Sequence, residues 1–297
     1  MKRQVLFLLF FVSISSLAQH IQWQQSLGGE REEHLYDAIS TYDYGIFLAG
    51  SSVSEASGNK KDGSIADLDY WLWKMTEDGK LEWQKNYGGA GNDYLYSVSY
   101  TLDGGYILGG SSDSQEGHDK DSTGSGGLDF WILKLNPRGE IEWQKTYGGT
   151  EDERLTAIGQ SQDGGYWVAG TSSSTGLGNE DVWVLRLDSN GDLLWDKALG
   201  GLRKDECRAM TIGDSGVYIA AFSNSQKLYG QAYVAHLNDV GDLVWDYSFG
   251  NDLQTVPVSK GLGPKNCLWR GLPKQKNLNN MLRFFLCAGE GTRTPTP

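Results

Sequence analysis

The heptapeptide WQKTYGG at residues 143–149 is written four more times along the chain with small changes: WQQSLGG at 23–29, WQKNYGG at 83–89, WDKALGG at 195–201 and WDYSFGN at 245–251. The Trp-to-Trp steps are 60, 60, 52 and 50 residues. A motif returning at such a step marks one supersecondary unit copied along the chain, and the step length limits what that unit can be. After the Gly-Gly comes a segment such as DYLYSVSYT, then a turn, then a run such as GYILGGSS. A polar stretch of variable length follows, then LDFWILKLN, a turn containing Gly, and EIEWQKTYGG. The apolar segments are six to nine residues long, rich in Tyr, Trp, Val and Ile, and bounded by Gly, Asp, Asn or Ser. That is the signature of strands. No long stretch of 3.6-residue periodicity occurs beyond the first 18 residues.

Each repeat is therefore four short strands, a to d. Asp103-Gly104-Gly105 and Asp163-Gly164-Gly165 mark a–b hairpins, and Gly79, Gly139, Gly191 and Gly241 mark c–d hairpins. A tight turn needs the positive φ that Gly tolerates. Strand c is apolar on both faces, as in Phe130-Trp131-Ile132-Leu133, so its sheet lies between two others. Four-stranded repeats of this length predict an all-β fold, a β-propeller of antiparallel blades. A parallel β-helix has shorter rungs and would not place two hairpins in each repeat. The body opens on a strand d, His20–Gly28, and then runs a, b, c, d four times. Four blades plus an N-terminal strand, in an incomplete ring, are expected. The recurrent Trp residues (23, 83, 143, 195, 245) are expected to press one blade on the next rather than serve as sugar platforms. Trp167 occurs in one repeat only and is expected to matter less to stability if it is exposed.

The pattern W-Q-K-x-Y-G-G, D-G-G-Y and D-x-W-x-x-K resembles the repeat of secreted bacterial β-propeller-like proteins of the Bacteroidetes type. The resemblance covers residues 19–252 and implies a propeller, with nothing specific about activity. Such proteins often carry a C-terminal secretion-sorting domain, which is not visible here.

The two ends differ from the middle. Residues 1–18, MKRQVLFLLFFVSISSLA, join a basic start, an apolar run from Val5 to Val12 and a small-residue cleavage site. They read as a signal peptide, with Gln19 as the mature start and no membrane-spanning segment after it. An exported protein in the periplasm, at the cell surface or outside the cell is expected. From Leu253 onward stand seven Lys or Arg and one acid, Glu290. Residues 253–297 keep none of the repeat, and GEGTRTPTP resembles the end of a mis-annotated reading frame over a transfer-RNA gene. This tail is expected to be out of frame or disordered. The remaining body, 19–252, carries a net charge of −20, which argues against nucleic acid as a partner. Of the three Cys, only Cys207 lies in the body, where it reads as a buried strand residue; no disulfide framework is implied.

Two sets of acids recur. Glu33, Asp93, Glu153 and Asp205 stand four residues after the second Gly of each Gly-Gly, and Asp69, Asp129 and Asp181 precede strand c, with Gln231 at that place in the fourth repeat. Their expected role is to accept backbone N–H bonds and order turns, the alternative being a ring of carboxylates suited to a cation. The b–c loops of repeats 1 and 2 carry inserts and are expected to bear function. In the second, Asp119-Lys120-Asp121-Ser122-Thr123-Gly124 alternates oxygen ligands with a Gly, so Asp119 and Asp121 are candidate calcium ligands. Asp188-Ser189-Asn190-Gly191-Asp192 reads as a hairpin. Ser51, Ser52, Ser111, Ser112, Ser172 and Ser173 read as loop-formers. No catalytic or other cofactor-binding residue stands out, since none of His20, His34, His118 and His236 has a metal spacing or a repeated Ser or Cys beside it. The expected function is a non-catalytic exported propeller that binds or scaffolds an extracellular or cell-envelope protein or glycan. An exported enzyme acting on polysaccharide or peptide is the alternative, and a truncated fragment without independent function a third.

Overall fold

The computed structural model describes residues 21, 23–225 and 230–249. The expectations for the signal peptide and the tail lie outside these residues. Among the described residues all sixteen elements are strands, in four antiparallel sheets of four. The first blade holds β1 (Glu33–Ser40), β2 (Ile46–Ser52), β3 (Asp69–Met75) and β4 (Leu81–Tyr87). The second holds β5 (Asp93–Tyr100), β6 (Tyr106–Ser112), β7 (Asp129–Leu135) and β8 (Ile141–Tyr147). The third holds β9 (Glu153–Gln160), β10 (Tyr166–Ser172), β11 (Asp181–Leu187) and β12 (Leu193–Leu199). The fourth holds β13 (Asp205–Gly213), β14 (Gly216–Ser223), β15 (Gln231–Leu237) and β16 (Leu243–Phe249). Within each sheet the strands lie in chain order. The sheets stack through their first strands, β1 on β5, β5 on β9 and β9 on β13. The result is an open β-propeller of four blades.

Apolar cores fill the seams between blades. Trp131, Leu95 and Val98 join Phe47 and Tyr70 between the first two, and Trp167, Val184 and Cys207 join Ile219 and Tyr233 between the last two. The ends of the arc lack this cover. Leu95, Leu155 and Cys207 are buried, whereas Leu35, at the same place in the first blade, is 64% exposed. On the outer strand of the fourth blade, Val244, Tyr247 and Phe249 are exposed.

The letters of the repeat are fasteners between blades. Four of the five recurrent Trp lie on the c–d turn glycine of the following blade: Trp23 on Gly79, Trp83 on Gly139, Trp143 on Gly191 and Trp195 on Gly241; Trp245 instead packs on Tyr218 and His236 of its own blade. A Cβ on Gly139 would stand 2.8 Å from Trp83, and one on Gly191 2.6 Å from Trp143. All four glycines also hold positive φ, between 75° and 86°. Trp23 keeps this docking role, donating Nε1–H to the Glu77 carbonyl at 2.9 Å, although 23–29 form no strand. The Tyr of Tyr-Gly-Gly shares the Trp face, because it stands four residues on in a strand of period two. The hydroxyls of Tyr87 and Tyr147 donate to the carbonyls of Gly139 and Gly191. In the third blade Leu199 replaces the Tyr, and Lys197 takes over, its Nζ 3.0 Å from the Gly241 carbonyl.

The N-terminal strand expected over His20–Gly28 is corrected, since residues 23–29 form no strand, and two further expectations are corrected with it. Ser51, Ser52, Ser111, Ser112 and Ser172 are not loop-formers: all five are buried in strands, and the Oγ atoms of Ser51 and Ser111 accept the Leu95 and Leu155 N–H of the next blade at 2.9 and 3.0 Å. Trp167 is fully buried, whereas Trp143 is half-buried. Trp167 occupies the place of Phe47 and Ile107 in strand b, where the seam core demands a large apolar group whatever its identity.

Candidate functional site

The recurrent acids sit at one edge of the seams, where they act as turn fasteners. The carboxylates of Glu33, Asp93, Glu153 and Asp205 accept the N–H of Gly29, Gly89, Gly149 and Gly201 at 3.0, 2.8, 2.7 and 2.8 Å. Each also binds a b–c loop serine of its own blade: Ser54, Ser114, Ser174 through its N–H, and Ser225. The second Gly of each pair is required because a Cβ there would run into that serine's Cβ. Asp69, Asp129 and Asp181 in turn accept the N–H of Ile65, Ser125 and Leu177 at 2.5, 2.6 and 2.7 Å. The turn-ordering role thus holds for both sets.

The b–c inserts of the first two blades share a device that the sequence reading missed. Lys60 and Lys120 are buried at 3% and 1% exposure, within oxygen cages built by their own loops. Lys120 Nζ donates to Ser112 Oγ at 2.8 Å and the Ser114 carbonyl at 2.9 Å, over the Trp131 ring. Lys60 Nζ repeats this with Ser52 Oγ, the Ser54 carbonyl and Ser64 Oγ at 3.0, 2.9 and 2.7 Å, over Trp71. The available signal was position: each lysine stands six residues after the serine of its loop, Ser54 or Ser114. The calcium candidates flank Lys120. Asp119 is half-buried and accepts the Gly88 N–H at 3.2 Å, while its own N–H goes to the Gly88 carbonyl. Burial raises its carboxyl above the usual range. Asp121 is exposed, its N–H 3.3 Å from Gln144 Oε1. Among the described residues no three His, Cys, Asp or Glu side chains converge as a metal cage, so these two stand without a third carboxylate. Asp188–Asp192 is the c–d hairpin expected, its Asp188 carboxylate receiving the N–H of Asn190 and Asp192. Cys207 is buried, and burial pushes its thiol up to about 12.

The opposite, hairpin edge of the arc holds a cleft of about 310 Å³ between the first and second blades. Its walls include Tyr42, Tyr100 and Trp83, with Asp43, Glu82 and Arg138 among its charged groups. Tyr42 is 77% exposed and meets Tyr100 edge to face at 4.2 Å between centroids. Beneath them Lys74 is buried between Asp43 and Glu82, at 2.7 and 2.5 Å. Its ammonium, first, and the Thr41 hydroxyl hold the Asp43 carboxyl down at about 2. The second and third blades repeat this anchor as Lys134 with Asp103 and Glu142, and as Arg186 with Asp163. The cleft is not repeated in the same form. At the seam of the second and third blades, Leu102 and Gln160 replace Tyr42 and Tyr100, and Gln160 Oε1 accepts the Leu102 N–H at 2.7 Å, bridging the blades.

No family model matches this chain. An alignment 114 positions long, covering 34% of the chain, is 28% identical to the regulatory protein FlaEY of Caulobacter vibrioides, of which it spans 12%. Among solved structures, the periplasmic gluconolactonase of Pseudomonas aeruginosa aligns at 12% identity and a TM-score of 0.33, over 73% of this chain and 72% of that one. A neuraminidase-like protein from a flat-faced bat isolate aligns at 14% identity and a TM-score of 0.37, over 72% of this chain and 51% of the other. Among the described residues no helix is long and apolar enough to cross a membrane. The architecture of repeated four-stranded blades therefore rests on this chain's own strand order, seams and hydrogen bonds.

Proposed function

We propose that this is an exported propeller that binds without catalysis, and that it takes an extracellular or cell-envelope glycan in the cleft between the first two blades. One observation carries the reading: the cleft breaks the repeat. Where the neighbouring seam is closed by the Gln160 to Leu102 bridge, this one presents Tyr42 and Tyr100 beside carboxylates and Arg138. Aromatic faces accept the C–H side of a sugar ring, while carboxylates and guanidinium pair with its hydroxyls. The recurrent acids, by contrast, are held by backbone N–H groups and serines of their own turns.

The test is a glycan array probed with the full chain, followed by titration of the retained glycans. Tyr42→Ala and Tyr100→Ala should each weaken binding by about tenfold, near 1.4 kcal/mol. Binding unaffected by both changes would remove the cleft from consideration, and capture of a peptide instead would make the ligand a protein. Turnover of a bound glycan would favour the enzymatic alternative. Calcium at Asp119 and Asp121 remains a separate proposal with its own check. If Ca²⁺ binds there, millimolar Ca²⁺ should raise the melting temperature, and Asp119→Asn with Asp121→Asn should abolish the rise.

A further inference from the structure

The two sets of acids meet. Asp129 faces Glu153 and Asp181 faces Asp205, each pair spanning a seam and each twenty-four residues apart in sequence; Asp69 and Asp93 stand at the same interval across the first seam. All six side chains are at most 1% exposed. One oxygen on each of Asp69, Asp93, Asp129, Asp181 and Asp205 has no hydrogen-bond donor within reach. Gly88, Gly148 and Gly200 lie against the orphan oxygens of Asp69, Asp129 and Asp181, and a Cβ on Gly148 would press on both Asp129 and Glu153, one on Gly200 on both Asp181 and Asp205. Two ionised carboxylates so placed would combine like-charge repulsion with an unsatisfied buried acceptor.

We propose that the second and the third seam each bind one proton, shared between Asp129 and Glu153 and between Asp181 and Asp205, so that a carboxylic acid donates to a carboxylate across the blade boundary. A proton needs no cavity, which suits a pair with a glycine Cα packed against it. It also supplies the missing donor. Burial drives the carboxyls of Asp93 and Asp129 up to about 6. Burial likewise raises Asp69 and Asp181, and Glu153 and Asp205 add to the rise at Asp129 and Asp181.

The other charges near the pairs are known. Lys60 faces Asp69, and Asp119 lies near it as a further negative group. Lys120 faces Asp93, Asp129 and the more distant Asp113. Near the third seam, Lys204 and Arg154 are engaged with Glu180, at 2.7 and 3.8 Å, and Tyr233 senses Asp205. Among the described residues the third seam has no equivalent of Lys60 or Lys120, which makes Asp181 the residue to substitute.

The sign follows from the direction of the shifts. A carboxyl whose folded pKa is raised gives stability that is present in full below its unfolded value of 3.8 and is lost as pH rises through about 6. Asp43 acts oppositely: held at about 2, it stabilises above 3.8 and loses that effect as pH falls. Stability should therefore peak near pH 4.

The experiment is urea unfolding of the full chain at about pH 4.5 and about pH 8. The wild-type midpoint should fall between them, the unfolding equilibrium constant rising by on the order of tenfold per pair. Asp181→Asn keeps acceptors for the Leu177 and Gly178 N–H and offers a permanent donor to Asp205. It should remove one pair's share of the pH dependence, about tenfold in the unfolding constant, and be at least as stable as wild type at the higher pH. A wild-type midpoint that stays level or rises, or an Asn variant equally weakened at both pH values, would overturn the proposal. So would a loss of the pH dependence on adding Ca²⁺ or Na⁺, which would make the occupant a metal cation. Should the variant not fold, ¹³C titration of the wild-type Asp carboxyls decides instead. A buried Asp still protonated at about pH 5 supports the shared proton, and ionisation of all of them there refutes it.

Discussion

Replacing Trp167 with alanine is expected to destabilise the protein by about 3–5 kcal/mol, the range for large aromatic deletions in cores. Trp143→Ala is expected to cost less. Trp167 is fully enclosed between the third and fourth blades, edge to face with Trp195 at 5.3 Å and under the Arg186 guanidinium at 5.0 Å. Trp143 lies half-buried on the Gly191 turn and keeps one edge in solvent. Trp167→Phe should be far milder, because Phe47 fills the same place in the first blade and the Trp167 indole N–H has no acceptor to lose. Urea melts of the three variants check this order, and equal small losses for the two alanine variants would contradict burial at the seam.

Gly149→Ala is expected to destabilise by at least the roughly 1–3 kcal/mol typical of overpacked cores. Its new Cβ would overlap the Ser174 Cβ, and the Gly149 N–H would be displaced from the Glu153 carboxylate it now meets at 2.7 Å. Ser174→Gly should recover a substantial part of that loss although it is mildly destabilising alone, since contacting residues are not additive. The coupling energy from the four melts is the measure. Additive effects would mean that the second glycine of the motif serves some purpose other than admitting the serine.

Much of the strand layout was legible in the sequence, because period-two apolar runs between turn residues announce themselves repeat by repeat. The c–d turns at Gly79, Gly139, Gly191 and Gly241 all took the positive φ their placement predicts. What one repeat does to the next was harder to read. Repetition of a letter does not mark the deepest burial: the recurrent Trp143 is half-buried and the single Trp167 fully buried. The seam preserves apolar bulk rather than identity, so Phe47, Ile107 and Trp167 do one job with three letters. The acids were legible as turn fasteners, yet not as facing pairs, although the constant interval from Asp69 to Asp93, Asp129 to Glu153 and Asp181 to Asp205 was visible. The cleft was illegible for the opposite reason. It arises where Tyr42 and Tyr100 depart from the Leu102 and Gln160 pattern, and a departure has meaning only once the closed version is seen beside it.

Hydrogen exchange of four equivalent backbone amides tests the open, seam-fastened arc most directly. In the second, third and fourth blades the N–H of Leu95, Leu155 and Cys207 donates to Ser51, Ser111 and Thr171 Oγ of the preceding blade, at 2.9, 3.0 and 3.0 Å. Leu35 has no preceding blade among the described residues, and its side chain is exposed. The three seam amides should exchange slowly, at rates set by opening of the blades, and the Leu35 amide should exchange orders of magnitude faster. Equal protection at Leu35 would mean that something closes over the first blade as the earlier blades close over the later ones, and the open arc would be wrong.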